Sequence, residues 1–264
     1  MGFEWDERKI DWYLRALTRA EFPRALLPFL QPLLLPTDTV LDLGSGPGAT
    51  TLLVAPLVKE VIAVDTSQLA LETLHRLALS SSQRNIGTQN VSWRDMVPSG
   101  PGTPPPADVV LAVYSSTPEN VADMAALGAL VRRWVILVVP ENRARVEFGV
   151  HRLFRRLGCA PPQRRVVGRD VRRLLEQVGL RYGYGRQQAR FDQPLSGIDE
   201  GVEFLMAYYG LDASCYLAVK QFVAKALEER DGLLYLPNVR KMEVIWWKGG
   251  TGAGDSTGYR NLLR

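Results

Sequence analysis

The chain has 264 residues, of which 46% are hydrophobic and 23% charged, and its formal net charge is +4. This length fits one α/β domain with extensions and excludes two full-sized domains, while the composition supplies enough apolar residues for a packed core. The apolar runs have the length of strands, which excludes a membrane-spanning helix, and the polar segment at residues 1–9 is unlike a signal peptide.

Two cysteines, Cys159 and Cys215, stand far apart and have no second cysteine or histidine at metal-ligand spacing. The spacing predicts no metal site and two small, half-buried side chains. A chain with few cysteines and no export signal is expected in the reducing cytoplasm, with no membrane partner.

Apolar periodicity predicts strands that alternate with helices along most of the chain. Strands that are apolar on both faces and alternate with helices are typical of a parallel sheet with helices on both sides. The predicted strands are 39–43, 61–64, 91–93, 108–113, 134–139, an extended stretch near 181–191, and 241–247. The predicted helices are two within 3–34, then 49–59, 66–80, 117–132, 142–157, 168–178, 197–209 and 213–230.

These elements divide the chain into five regions. Residues 98–106 are rich in proline and are expected to form a surface loop within the second region. The regions are a helical extension at 1–37, a core at 38–193, a helical lid insertion at 194–236, the last core strand at 237–248 and a flexible, glycine-rich tail at 249–264.

The strongest motif is a strand that runs into three glycines at alternate positions, Asp42-Leu43-Gly44-Ser45-Gly46-Pro47-Gly48. Glycine permits a tight turn and lets a ligand approach bare backbone. The helix that begins directly afterwards offers unpaired N–H groups to an electron-rich ligand. The carboxylate of Asp42, at the end of the strand, suits a ligand that carries an ammonium group.

A second acidic residue, Asp65, ends the next strand. On its own it is equally a turn residue or a helix cap, but beside the glycine loop its carboxylate is placed to accept hydrogen bonds from a ribose diol. The spacing of Gly44, Gly46 and Ala49 also satisfies the looser dinucleotide-binding fingerprint, so a nicotinamide cofactor remains an alternative at this point.

The whole set of motifs resembles the class I S-adenosylmethionine-dependent methyltransferases, in particular those that act on small molecules. Residues 42–48 resemble their first motif and 64–69 their second, 93–96 is similar to the third, 108–113 to the fourth strand, and 174–180 to the helix before strand six. The resemblance implies an α/β, Rossmann-like, doubly wound and mostly parallel seven-stranded sheet, with N-terminal helices and a helical insertion before the last strand. It also implies S-adenosyl-L-methionine as cofactor, bound by Asp42, Gly44, Ser45, Gly46, Gly48, Asp65, Thr66, Asp95, Met96 and Val113.

The end of the fourth strand departs from the nucleic-acid-modifying members of that family. It reads Val113-Tyr114-Ser115-Ser116, without the Asn/Asp-Pro-Pro-Tyr/Phe motif of amino methylation or the Pro-Cys pair of cytosine C5 methylation. These departures argue against two chemistries on nucleic acid and leave methylation of ribose or of ring nitrogens in RNA open.

Catalytic groups are harder to assign from the sequence. The candidates for a general base are Tyr114, at the end of strand four, and His151, on an arginine-rich helix; His75 is expected to be structural. Six aromatic residues on the N-terminal helices and on the insertion would line a substrate pocket if those helices form a lid. Because they stand at helical spacing, we expect most of these aromatics to be ordinary core: Trp5, Trp12, Tyr13, Phe204, Tyr208 and Tyr209.

Fifteen arginines lie between residues 132 and 190 and make this stretch strongly basic. We favour solvated helix faces over a nucleic-acid surface, because charge on a helix face is common. The sequence therefore predicts methyl transfer to an oxygen, nitrogen or carbon of a small metabolite. The alternatives are an RNA or protein methyltransferase that uses the arginines, an NAD(P)-dependent oxidoreductase and a non-catalytic sensor of the cofactor. The oligomeric state stays open.

Overall fold

The computed structural model of the chain describes residues 4–96 and 107–249. The predicted loop at 98–106 lies outside these residues, and so does the predicted tail except for Gly249. None of the helices within the described ranges is both long enough and apolar enough to cross a lipid bilayer.

One sheet of seven strands forms the centre of the structure, in the order β3-β2-β1-β4-β5-β10-β6. Strand β10 is antiparallel to both β5 and β6, and the other strand pairs are parallel. The predicted seven-stranded, mostly parallel α/β sheet is confirmed. Its strands are β1 (Thr39–Leu43), β2 (Glu60–Asp65), β3 (Ile86–Asn90), β4 (Ala107–Val113), β5 (Val131–Pro140), β6 (Tyr182–Arg190) and β10 (Val239–Lys248).

Helices cover both faces of this sheet. Side chains of each strand point alternately to opposite sides, so buried apolar residues on each face pack against the helices there. Val40 faces a core that includes the N-terminal helices, whereas Leu41 faces a core that includes α5 and α7. The helices are α1 (Glu7–Leu17), α2 (Leu27–Leu30), α3 (Ala49–Val54), α4 (Gln68–Ser80), α5 (Val121–Ala129), α6 (His151–Arg156), α7 (Gly168–Gln177), α8 (Ile198–Tyr209) and α9 (Tyr216–Ala226).

Three predicted elements differ from the structure. Of the helix predicted at 142–157, only His151–Arg156 is α-helical. The third strand is residues 86–90 and not 91–93, which precede and enter a single 3-10 turn at Trp93–Asp95. Strand β3 is at the edge of the sheet and is mostly polar, so it lacks the apolar run used to find strands. Helix α5 is shorter than the predicted 117–132, because the side chain of Asn120 caps its beginning and β5 already starts at residue 131.

The insertion before the last strand contains more than the predicted helices α8 and α9. Three short strands form a second sheet in the order β7-β9-β8. Helix α1 packs against this region: Arg15 forms an ion pair with Glu200, and Trp12 Nε1 donates to Glu200 Oε1 at 3.0 Å. The strands are β7 (Gln193–Leu195), β8 (Glu228–Arg230) and β9 (Leu233–Leu236).

Candidate active site

A cavity of about 1060 Å³ opens at the edge of the sheet where the parallel strands end. The residues that follow β1, β2 and β4 line one part of it. Because β10 is antiparallel, its first residues, Val239, Arg240 and Lys241, lie at the same edge and line the cavity as well. Helix α1 and the insertion contribute Trp12 and Phe204 to its wall.

The glycine loop after β1 forms the tight turn that the sequence predicts. The backbone angle φ is +70° at Gly44, +53° at Gly46 and +91° at Gly48, values that residues with a Cβ adopt at a cost. The amides of Gly44 and Ser45 both donate to the carbonyl of Val64, at 2.6 and 3.0 Å, which joins the ends of β1 and β2.

Asp65 holds this loop in place through both carboxylate oxygens. Oδ2 accepts the amide of Gly46 and Oδ1 accepts the amide of Ser67, each at 2.8 Å. Each carboxylate oxygen has a second acceptor position. Asp65 lines the cavity, so it is able to order the loop and to accept hydrogen bonds from a ligand at the same time.

Asp42 is the most deeply placed carboxyl group of the cavity, with only 1% of its surface exposed. Burial raises its pKa to about 7, and the nearby charge of Asp65 adds to the rise. A hydrogen bond from Thr51 Oγ1, at 2.6 Å, opposes it. A buried carboxyl group of this kind gains free energy when a ligand cation replaces the water it has lost.

Three polar atoms of the cavity wall are buried and have no hydrogen-bond partner within the described residues, namely Ser45 Oγ, the Tyr114 hydroxyl and Glu147 Oε2. Buried polar groups are normally paired, so all three are candidates for ligand contacts. The backbone conformation also indicates a functional site. Tyr114, Ser116 and Phe148 have positive φ and line the cavity, and strained residues concentrate at functional sites.

Eight of the twelve residues predicted for the site line this one cavity. The glycine loop, the two acids in the last residues of β1 and β2, and the end of β4 are brought together because their strands are neighbours in the sheet. The eight are Asp42, Gly44, Ser45, Gly46, Asp65, Thr66, Val113 and Tyr114.

The other four predicted residues do not line the cavity. Asp95 is exposed, and Met96 is buried in the core on the far side of the 3-10 turn, so Ser92 and Trp93 line the cavity in their place. A Cβ at Gly48 would meet Leu74, which gives that glycine a packing role. The remaining residue, His151, is exposed at the start of α6 and is not a catalytic candidate.

Tyr114 lies at the cavity, but its ionisation does not suit a general base. Burial raises its pKa to about 12, although Arg240 and Arg164 lower it in part. The phenol is therefore protonated at neutral pH and is able to donate a hydrogen bond to a ligand. A raised pKa argues against the predicted role of Tyr114 as a general base.

Most of the six lid aromatics do belong to the core, as expected: Trp12, Phe204 and Tyr209 are buried in it, and Tyr13 and Tyr208 pack against it. This part of the core also borders the cavity. Five of them line the cavity: Trp5, Trp12, Tyr13, Phe204 and Tyr208. Tyr209 does not, and packs edge-on against Phe154 with 5.4 Å between the ring centroids. Helices α1 and α8, with Trp5 just before α1, thus provide a mostly aromatic part of the cavity wall.

Three arginines of the cavity were not predicted from the sequence. The guanidinium of Arg240 stacks on Phe191, 3.5 Å from the ring centroid, and also faces Phe22 at 4.8 Å and Tyr114 at 5.3 Å. Arg145 lies over Tyr208 at 4.9 Å, and Arg164 is paired with Glu147. Little in the sequence distinguishes these arginines. Arg240 is one polar residue at the start of a strand, and Arg145 and Arg164 are two of the fifteen arginines in the basic stretch.

Solved structures of similar fold cover most of the chain. The YcgJ protein from Bacillus subtilis matches with a TM-score of 0.53 and 16% identity, over 87% of this chain and 99% of that chain. A candidate methyltransferase from Bacillus halodurans, BH2331, matches with a TM-score of 0.53 and 13% identity, over 86% and 99%. A third structure comes from work on the conversion of a disulfide bond into a thioacetal group during echinomycin biosynthesis. It matches with a TM-score of 0.50 and 13% identity, over 88% of this chain and 83% of that chain.

No protein-family model matches the chain, and no curated protein does either. The structural likenesses show the fold: the chain has the fold of class I S-adenosylmethionine-dependent methyltransferases, as its motifs predict. At 13 to 16% sequence identity, the similarity concerns the fold and does not identify a substrate.

Proposed function

We propose that this chain is a methyltransferase that uses S-adenosyl-L-methionine and acts on a small molecule. The observation that carries the proposal is the position of one glycine loop between two acids, Asp42 and Asp65, at the mouth of a cavity that continues under aromatic helices. Ser45 Oγ is buried and has no hydrogen-bond partner among residues 4–96 and 107–249, which fits a polar ligand in this loop.

The residues of the cavity suit the separate parts of that cofactor. Asp42 would hold the ammonium group, Asp65 the ribose hydroxyls, and the exposed Thr66 and the buried Trp93 would flank the adenine. Val113, at the end of β4, would lie beside the reacting group. When bound, the cofactor supplies a methyl group on a positively charged sulfur.

The chain itself contributes positioning and exclusion of water. Displacement at a methyl carbon needs the acceptor held close and in line, and that is mainly a matter of orientation. With a substrate bound, the aromatic side chains of Trp12, Phe204 and Tyr208 would help to exclude water from this part of the cavity. No general base is assigned, since Tyr114 is protonated and His151 lies outside the cavity.

The affinity for S-adenosylhomocysteine is expected to rise roughly 20-fold between pH 5.5 and pH 7.5. The pKa of Asp42 is about 7, so most of this carboxyl group is protonated at the lower pH and unable to pair with an ammonium group. Isothermal titration calorimetry across this range measures the effect. A flat affinity profile would show that Asp42 does not contact the ligand's cation.

The Asp42→Asn variant provides the control and a second readout. It should bind more weakly and lose the pH dependence. Because the folded-state pKa of Asp42 is raised, its contribution to stability is fully present below about pH 4 and is lost as the pH rises through about 7. The variant should therefore melt at a higher temperature than the wild type at pH 8, and not at pH 4.

Pairing of the arginine-rich stretch favours a small-molecule acceptor over RNA. Eight of its fifteen arginines form ion pairs with carboxylates, which lowers the net positive charge that the stretch offers to a phosphate backbone. The pairs include Arg132–Asp108, Arg133–Asp38, Arg143–Asp170, Arg164–Glu147, Arg165–Glu119, Arg172–Glu243, Arg186–Glu141 and Arg190–Asp192.

The sheet argues against the nicotinamide alternative. The usual dinucleotide-binding sheet has no antiparallel strand between its fifth and sixth strands. Here β10 occupies that place and brings Arg240 to the cavity.

Transfer of a labelled methyl group tests the proposal. A cell extract is divided by ultrafiltration into small molecules and macromolecules, and each part is incubated with the protein and isotopically labelled S-adenosylmethionine. Label in the small-molecule part, absent with the Asp65→Ala variant, is the expected result. Label in RNA or protein would favour the macromolecular alternative, and cofactor binding without any transfer would favour the sensor.

A further inference from the structure

The cavity carries more positive than negative charge. Seven cationic side chains and four carboxyl groups line it. Two of the carboxyl groups, Asp42 and Asp65, belong to the glycine-loop end, and the other two, Glu119 and Glu147, form ion pairs with Arg165 and Arg164. The excess positive charge therefore lies at the other end, under α1 and the insertion.

Three cavity cations without a carboxylate partner in the described residues account for this excess: Lys241, which is exposed, and two arginines. Arg240 and Arg145 form no ion pair with a carboxylate anywhere in residues 4–96 and 107–249. Both are only partly exposed and are held by aromatic rings, Arg240 by Phe191 and Arg145 by Tyr208. An arginine fixed on an aromatic face keeps its N–H groups available at little further cost in side-chain entropy.

A hydrogen-bond donor stands beside the first of these arginines. The ring of Tyr114 lies 5.3 Å from the Arg240 guanidinium, and its buried hydroxyl has no partner within the described part of the chain. The Arg240 guanidinium shares one hydrogen bond with the Tyr13 phenol and pairs with no carboxylate in the described residues. Its remaining N–H groups and the nearby Tyr114 hydroxyl match the two oxygens of a small anion.

The surroundings define the remainder of such a ligand. Phe22 and Phe191 flank the arginine, and Phe148 and Phe204 continue the wall towards the insertion. Flat, apolar surfaces of this kind favour a planar, unsaturated skeleton.

We propose that the methyl acceptor is an organic anion with a planar apolar body, whose carboxylate or phosphate is bound by Arg240 and the Tyr114 hydroxyl. This inference rests on the proposed function and specifies its substrate class. An anion here also offsets the positive charge that the cofactor brings into a cavity already rich in arginine.

Matched acids and amides test the proposal directly. Benzoate, cinnamate and 1-naphthoate are titrated into the protein saturated with S-adenosylhomocysteine, each against its neutral amide, with phenyl phosphate as the second anion. We expect at least one anion to bind 10-fold or more tightly than its amide, and comparison of benzoate with phenyl phosphate identifies the preferred anion. Equal binding of acids and amides at every ring size, or no binding of any of them, would overturn the proposal.

Variants assign the effect to the arginine. Arg240→Met should remove the preference for the acid, Arg240→Lys should retain part of it, and Arg173→Met, which removes the same charge from the exposed face of α7, should have no effect. Weaker binding of S-adenosylhomocysteine to Arg240→Met, with the acid preference unchanged, would assign Arg240 to the cofactor's carboxylate and overturn the proposal.

A separate titration distinguishes failure of this inference from failure of the proposed function. The same probes are titrated without S-adenosylhomocysteine, and S-adenosylhomocysteine is titrated alone. A preference for acids without binding of S-adenosylhomocysteine would support the anion site and contradict the proposed methyltransferase function. Binding of S-adenosylhomocysteine without a preference for acids would support the proposed function and contradict the anion site.

Discussion

Replacement of Asp65 by alanine is expected to weaken binding of S-adenosylhomocysteine by more than 100-fold. Hydrogen bonds to a charged acceptor contribute about 1.5–3 kcal/mol each, and a ribose diol offers two. The variant also frees the amides of Gly46 and Ser67, which the carboxylate holds at 2.8 Å, so the loop itself becomes less ordered. Calorimetry measures the loss, and circular dichroism checks the fold.

Two further variants separate these causes. Asp65→Asn keeps one acceptor oxygen for the loop and should bind with intermediate affinity. Asp95→Ala removes an acid that the family resemblance assigned to the cofactor site. This side chain is exposed and does not line the cavity, so the affinity of the variant should stay within about twofold of the wild type. An Asp65→Ala variant that binds like the wild type would remove the ribose assignment.

Substitution of Gly44 by alanine should destabilise the protein and weaken cofactor binding. A Cβ at this position would lie 2.4 Å from Ser115 Oγ and 2.5 Å from Ser115 Cβ, distances that force the loop or the end of β4 to move. Such overpacking costs about 1–3 kcal/mol. We expect a melting temperature lower by roughly 2–10 °C and an affinity for S-adenosylhomocysteine at least about 10-fold lower.

Gly158 provides a matched control for this substitution. Its φ is +69°, nearly the same as the +70° of Gly44, but a Cβ there would meet no atom within 4 Å. Gly158→Ala therefore carries the same backbone strain without the collision and should leave affinity unchanged. Addition of Ser115→Gly to Gly44→Ala removes the colliding atoms and should restore part of the lost stability. Equal effects of the two alanine variants would contradict the close packing of the loop against residue 115.

Local patterns were sufficient to predict the centre of the fold. The bounds of β1 agree with the sequence at both ends, because an apolar run that ends in glycines defines both the buried strand and its turn. Neighbouring strands in a parallel sheet end at the same edge, so Asp42 and Asp65 were expected to lie close together, and both line the cavity.

The far end of the cavity depends on contacts between distant parts of the chain. Arg240 reaches the cavity only because β10 runs antiparallel to β5, and its aromatic partners Phe22 and Phe191 come from other segments. Apolar periodicity does not encode such a meeting. The wrong placement of Asp95 has the same cause. The motif predicts an acid near the third strand, but the 3-10 turn at Trp93–Asp95 determines which residues of that segment face the cavity.

Titration of the wild-type protein with S-adenosylhomocysteine, and separately with NADH and NADPH, tests the central claim most directly. We predict that S-adenosylhomocysteine binds at one site with micromolar affinity or better, and that neither nicotinamide cofactor binds. Folded protein that binds a nicotinamide cofactor and not S-adenosylhomocysteine, or that binds none of the three, would contradict the assignment of the glycine loop and its two acids to an adenosyl sulfur ligand.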